Sequence, residues 1–83
     1  MLAGATFIEI RRNVMEILYT VEETAKILKT DKNYVYKLIH AGLLPVIKLK
    51  SYKVTARAIR EFVYGYEGYD VSNPQIVKEI NKR

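Results

Sequence analysis

The run Thr20-Val21-Glu22-Glu23 constrains the fold of this chain more than any other feature. A Thr followed three residues later by Glu is a capping box: the Thr hydroxyl accepts the Glu23 backbone N–H, and the carboxylate reaches back. A helix therefore starts at Val21. Val21, Ala25 and Leu28, with Ile27, line one face of a short helix predicted over 21–28. Lys29-Thr30 leaves room only for a tight connection before Asp31, a good N-cap for a second helix. That helix is predicted over 32–41, burying Val35, Leu38 and Ile39. Gly42 follows, where a left-handed residue is expected to end it. Two capped helices with so short a joint, closed by a glycine, describe a helix-turn-helix.

Leu43-Leu44-Pro45 leads out of this pair. Ile47 and Leu49 alternate with Lys48 and Lys50, the period-2 pattern of a half-buried strand. Lys50-Ser51 can turn the chain and Tyr52-Lys53-Val54 return it, giving a short hairpin. Thr55 is a further N-cap, and Ala58, Ile59, Phe62 and Val63 form the apolar face of a third helix, with Gly65 and Gly68 beyond its end. The stretch GYEGYD reads as a loop. Asn73-Pro74, a cap followed by proline at the first helical position, predicts a terminal helix over 74–81 carrying Ile76, Val77 and Ile80. At the other end, Phe7, Ile10, Val14, Ile17 and Leu18 fall at helical spacing and predict an amphipathic helix within 1–18. Met15 is an alternative start, which would make 1–14 a leader or extension. The chain thus divides into an N-terminal extension (1–18), the helix-turn-helix unit (19–64) and a tyrosine-rich tail with a short helix (65–83).

Charge is concentrated on the central unit. Nine of the fourteen Lys and Arg residues lie between Thr24 and Arg60, with Asp31 the lone acid there, so this window carries +8 in a chain of net +5. Such a field suits a polyanion, because phosphate contacts supply most non-specific affinity for nucleic acid. The functions it leaves out follow from residue types. Without cysteine there is no disulfide framework and no thiolate metal site, and the single His40 cannot assemble a zinc site. No paired-carboxylate arrangement appears, and GYEGYD lacks the context of a phosphate-cradling loop. No enzyme, cofactor or metal is expected. No apolar run approaches the roughly 20 residues of a membrane span. The basic residues of MLAGATFIEIRR follow its apolar stretch, the reverse of a signal peptide. A soluble cytoplasmic protein with one small core is the expectation.

The run YTVEETAKILKTDKNYVYKLIHAGLLPVIKLKSYKVTARAIREFV resembles the excisionase-type, MerR-related winged helix-turn-helix DNA-binding family. The resemblance rests on Tyr19-Thr20 at the helix start, Ala25 with Leu28 at the turn entry, and Val35 to Ile39 in the second helix. It continues through Gly42 to Pro45 at the exit, Lys48-Leu49 in the wing strand and Phe62 near the end of the third helix. About half the chain is covered. Two positions depart from the family. Lys29 stands where its turn has glycine, so either a lysine takes up positive φ or the turn widens. Lys50 likewise replaces a wing glycine, which alters the tip. The resemblance implies a mainly α fold with a small β-hairpin wing. It also implies sequence-specific binding of double-stranded DNA in phage or mobile-element biology, steering an integrase towards excision or regulating transcription. Binding as a homodimer or a cooperative array is common among related domains.

On the second helix the buried positions leave Lys32, Asn33, Tyr36, Lys37 and His40 outward. Asn33 has the groups to pair with adenine N6 and N7, while Lys32 and Lys37 suit guanine acceptors or phosphates. An ordinary solvated helix face is the alternative, and Tyr36 has the further option of packing beside the wing. His40 suits a phosphate contact or simple exposure. In the wing, Lys48, Lys50, Ser51 and Lys53 suit phosphates or the minor groove; the alternative is lysine protection of an edge strand. Arg57 is expected at phosphate or in solvent. The tail carries Tyr64, Tyr66 and Tyr69 with Ile76, Val77 and Ile80, which either wrap back onto the core or form a docking surface. The second option underlies a competing function, a protein–protein interaction module on a helix-turn-helix scaffold.

Overall fold

The computed structural model describes residues 16–80. Its elements are β1 (Leu18–Thr20), α1 (Val21–Ile27), α2 (Lys32–His40), β2 (Ile47–Leu49), β3 (Ser51–Thr55), α3 (Ala56–Gly65), β4 (Tyr69–Asp70) and β5 (Lys78–Glu79). Strand β3 is central in an antiparallel sheet of order β1-β3-β2, pairing Tyr19 with Val54 on one side and Lys48 with Tyr52 on the other. The architecture is a winged helix-turn-helix: three helices and a small sheet whose β2–β3 hairpin is the wing.

Each helix begins where a side chain supplies the missing acceptor. Thr20 Oγ1 accepts the Glu23 N–H at 3.0 Å, and Glu23 Oε1 accepts the Thr20 N–H at 2.9 Å, completing the capping box. Asp31 Oδ1 caps α2 through the Tyr34 N–H at 2.8 Å, and Thr55 Oγ1 caps α3 through the Ala58 N–H at 2.9 Å. Thr24 is fully buried, and its hydroxyl donates to the Thr20 carbonyl at 2.8 Å, so no unpaired polar group enters the core there.

The first two helices end in the same way. After α2, Leu43 N–H bonds the Leu38 carbonyl and Gly42 N–H the Ile39 carbonyl, both at 3.0 Å, with Gly42 at φ 80°. After α1, Thr30 N–H bonds the Ala25 carbonyl at 2.8 Å and Lys29 N–H the Lys26 carbonyl at 3.2 Å, with Lys29 at φ 61°. Both are Schellman motifs, so the α1–α2 turn keeps the glycine geometry and imposes it on a lysine. The wing tip does the same with Lys50, at φ 67°.

The core is Val21, Ala25, Val35, Leu38, Leu44, Val54, Ala58 and Ile59, drawn from all three helices, the exit loop and β3. Ile39, expected in the core, is half-buried and packs against it. Several sequence expectations need correction. Leu18 lies in a strand and is exposed, as is Ile17, because β1 pairs with β3 in place of a helix ending there; the remainder of the expected 1–18 helix falls on residues 1–15, outside the described residues, as does Met15. Ile27 and Val63 are exposed, since each lies at the margin of its helix's buried face. Ile47 and Leu49 are also exposed: the face of the hairpin that turns inward is that of Tyr52 and Val54, and Ile47 and Leu49 lie on the opposite one. Lys50 alone links the paired residues Leu49 and Ser51, a tighter turn than Lys50-Ser51.

The terminal helix expected over 74–81 does not form within the described residues. Asn73 Oδ1 accepts the Gln75 N–H at 3.0 Å, and its carbonyl accepts the Ile76 N–H at 2.8 Å, closing a single turn. Lys78 and Glu79 then pair with Asp70 and Tyr69, so part of the expected GYEGYD loop is strand β4. A short segment incurs the full cost of helix nucleation for few bonds, and the strand pairing wins. This tail folds back on the domain. The Tyr34 hydroxyl donates to the Val71 carbonyl, Val71 packs on the core, and Phe62, Tyr66 and Tyr69 form a chain of ring contacts at 5.1 and 6.1 Å.

Candidate nucleic-acid interface

Helix α2 presents its exposed residues as two adjacent strips. Lys32, Tyr36 and His40 recur every four residues and form one; Asn33 and Lys37 form the next. All five are exposed, while Val35 and Leu38 on the opposite side are fully buried. The helix is therefore fixed by its back and free along its front. Tyr34 belongs to neither strip: it is half-buried against the core and tied to the tail. Burial, and then the nearby Asp70 carboxylate, raises its phenol above the ordinary range, in keeping with its role as a donor to Val71.

The wing stands beside the first strip. Tyr36 lies 6.4 Å from the His40 ring and 6.2 Å from Tyr52, centroid to centroid, and Lys48 Nζ sits 4.7 Å above the Tyr52 ring. Those four side chains run from the end of α2 across to the edge strand of the wing. A notch of about 240 Å³ opens next to them, its walls including Thr20, Lys32, Tyr36, Ser51 and Tyr52. Lys32 is held there by Glu22 at 3.4 Å, a pair exposed on both sides and so easily exchanged for another anion.

The sequence-predicted residues thus fall into three places. Lys32, Asn33, Tyr36, Lys37 and His40 share the front of α2, with Tyr36 and Lys32 nearest the wing. Lys48, Ser51 and Lys53 lie on the hairpin, where Lys53 Nζ donates to Ser51 Oγ at 2.7 Å, and Lys50 occupies its tip. Arg57 sits apart, in the first turn of α3 beside Pro45, Val46 and Ile47 at the base of the wing; its backbone N–H is held by Glu16 Oε2 at 3.1 Å. Two residues escaped the sequence reading. Tyr52 was expected only as part of the returning strand, yet it joins the two surfaces. Its signal was its register, opposite Lys48 on the inward side of the hairpin. Glu22 was read only as part of the cap, yet it also holds Lys32.

Chemically, the arrangement offers a convex helix front with amide and ammonium groups, flanked by a thin basic hairpin. Among the described residues no cluster of His, Asp or Glu is placed to hold a metal ion, and no helix is long and apolar enough to cross a membrane.

Comparison with known proteins agrees with this architecture. The chain is 36% identical over 47 residues to the "Putative DNA-binding protein" of Mycobacterium tuberculosis, in strains CDC 1551 / Oshkosh and ATCC 25618 / H37Rv. Each match covers 55% of this chain and 60% of the relative, so the chain spans less than two thirds of those relatives' length. No solved structure gives a significant match. Residues 18–63 match the model of a helix-turn-helix domain, the excisionase-type family, from the first strand through the wing and into the third helix. By that match over more than half its length, the chain belongs to this helix-turn-helix family.

Proposed function

We propose that the protein binds double-stranded DNA sequence-specifically, with the front of α2 in the major groove and the wing along the flanking backbone or in the adjacent minor groove. The observation that carries this reading is the union of fold and charge. The basic residues of the +8 window lie largely on two neighbouring exposed surfaces of a helix-turn-helix, not on a tail. Asn33 reads a base, most naturally adenine, while Lys32 and Lys37 contact guanine edges or phosphates. His40 and Tyr36 flank them. Lys48, Lys50, Ser51, Lys53 and Arg57 contribute phosphate contacts from the wing and its base. The name of the mycobacterial relatives supports the DNA-binding reading.

Within it, the excisionase-type family supports a role in phage or mobile-element biology. The protein would act as a recombination directionality factor beside an integrase, or as a small MerR-related regulator addressing the transcription machinery. Either role is served by a homodimer or a cooperative array on DNA. A protein–protein module is the second reading, and the exposed Leu18, Ile47 and Leu49 on the uncovered side of the sheet are what favour it.

Selection of bound duplexes from a random pool tests the first reading. Wild type should enrich a motif, and Asn33→Ala should relax preference at one base pair, worth about 1–3 kcal/mol of discrimination. Failure of wild type to retain any duplex overturns DNA binding. Unchanged preference in Asn33→Ala removes that residue's base-reading role.

A further inference from the structure

The base of the wing is fixed, Lys53 and Val54 pairing with β1 and Val54 lying in the core, but its outer end is weakly attached. Strand β2 is a three-residue edge strand held only by β3, and its outward residues Ile47 and Leu49 are exposed. No backbone hydrogen bond joins α2 to the hairpin among the described residues. What spans the gap is a set of side chains. Tyr52 is half-buried while Leu49, Lys50 and Ser51 around the tip are exposed, and its ring meets Tyr36 on one side and the Lys48 ammonium on the other. Tyr36 in turn meets His40, one helical turn further on. An aromatic face attracts a cation, and tilted ring pairs favour a narrow range of geometries, so the stack resists rotation of the hairpin about its base.

We infer that Tyr52 is the positioning residue of the interface: its ring braces the wing against α2 and sets the distance between the base-reading front and the wing lysines. The inference rests on the DNA-binding reading for its consequence, but the bracing itself has a test that needs no DNA. A wing held at one angle delivers Lys48 and Lys50 to the backbone together with Lys53, which pairing with β1 already fixes; an unbraced outer end delivers Lys48 and Lys50 independently and must be ordered afresh at each encounter. The hydroxyl of Tyr52 has no part in this. The ring does.

Tyr52→Phe and Tyr52→Ala separate the cases. Backbone 15N order parameters at residues 48–51 should stay near about 0.85 in wild type and Tyr52→Phe, and drop to about 0.6 or below in Tyr52→Ala. Unchanged order parameters in Tyr52→Ala overturn the inference, whatever DNA does. On duplex DNA, Tyr52→Ala should flatten the slope of log K against log salt by up to about 0.9 for each phosphate the wing no longer reaches, while preference at the base read by Asn33 persists. Adding Lys48→Ala and Lys50→Ala to Tyr52→Ala should then change the slope little further. A Tyr52→Ala protein with a lowered Tm, a normal slope and full additivity with the lysine variants would show a merely structural residue and contradict the proposal. Absence of salt-dependent binding in wild type would instead overturn the DNA-binding reading, and would be seen before any variant is made.

Discussion

The α1–α2 turn and the wing tip pose the same backbone problem and solve it in different surroundings. Each puts a lysine in the left-handed region, Lys29 at φ 61° and Lys50 at φ 67°. Around Lys29 the turn is closed by two backbone hydrogen bonds, with Val21, Ala25 and Val35 buried on the helices it joins. Around Lys50 the flanking apolar residues of β2, Ile47 and Leu49, are exposed, and the core begins only at Val54. The turn lies against the core, whereas the tip lies beyond it, on the part of the molecule that the proposed function places against DNA. Left-handed strain in a non-glycine residue costs about 1–2 kcal/mol, and only a well-packed neighbourhood holds it rigidly.

The largest expected effect sets the core against the wing. Leu38→Ala, on the buried back of α2, should cost about 2–5 kcal/mol in denaturant unfolding. Leu49→Ala should stay within about 0.5 kcal/mol, as for an exposed surface position. Similar losses from the two would show that the wing is part of the folding unit and erase the distinction.

A smaller effect separates the two lysines. Lys29→Gly relieves the left-handed strain but adds about 0.4–1 kcal/mol of unfolded-state entropy, leaving a net gain of about 0.5–1 kcal/mol. Lys50→Gly should change global stability less, because opening of the tip is local. It should instead lower the salt slope of DNA binding by about 0.9, the value of one phosphate. A destabilised Lys29→Gly would mean that the side chain, not the backbone, is what that turn requires.

The smallest effect concerns the tail. The Asp70 carboxylate accepts from the Ser72 hydroxyl at 2.6 Å and the Ser72 N–H at 2.9 Å, and these bonds, with Lys78 adding, hold its pKa below the ordinary aspartate range. A depressed carboxylate pKa stabilises the folded turn above the ordinary range, and that contribution is lost as pH falls through and below it. The protection factor of the Ser72 amide, its exchange measured against the intrinsic rate at each pH, should therefore fall in acid before that of core amides such as Val35. Ser72→Ala should bring the Asp70 titration back towards its usual range.

The same contrast explains what could be read in advance. Helices α1, α2 and α3 were legible because Thr20, Asp31 and Thr55 act through their own neighbours, within three residues along the chain. The left-handed lysine was legible as one of two options, since the family pattern puts glycine there. The tail was not legible. Asn73-Pro74 is a good helix start, but the competing pairing of Tyr69 with Glu79 depends on a contact across the hairpin that no local pattern reports. Exposure of Ile47 and Leu49 was missed for a related reason: alternation shows that a strand has two faces, not that a second layer covers one of them. The outward set on α2 could be read by subtracting the buried residues, whereas Tyr52 needed the hairpin register and the approach of Tyr36.

The central claim is that both basic surfaces grip one duplex, and the salt dependence of wild-type binding tests it most directly. With Lys32, Lys37, Lys48, Lys50, Lys53 and Arg57 each at a phosphate, log K should fall against log salt with a slope of about −5, or roughly 10³ in affinity between 50 and 200 mM. A slope near −2 would mean that only the α2 lysines engage, and one near about −3.6 that only the wing and its base do. Binding that ignores salt would contradict the account altogether.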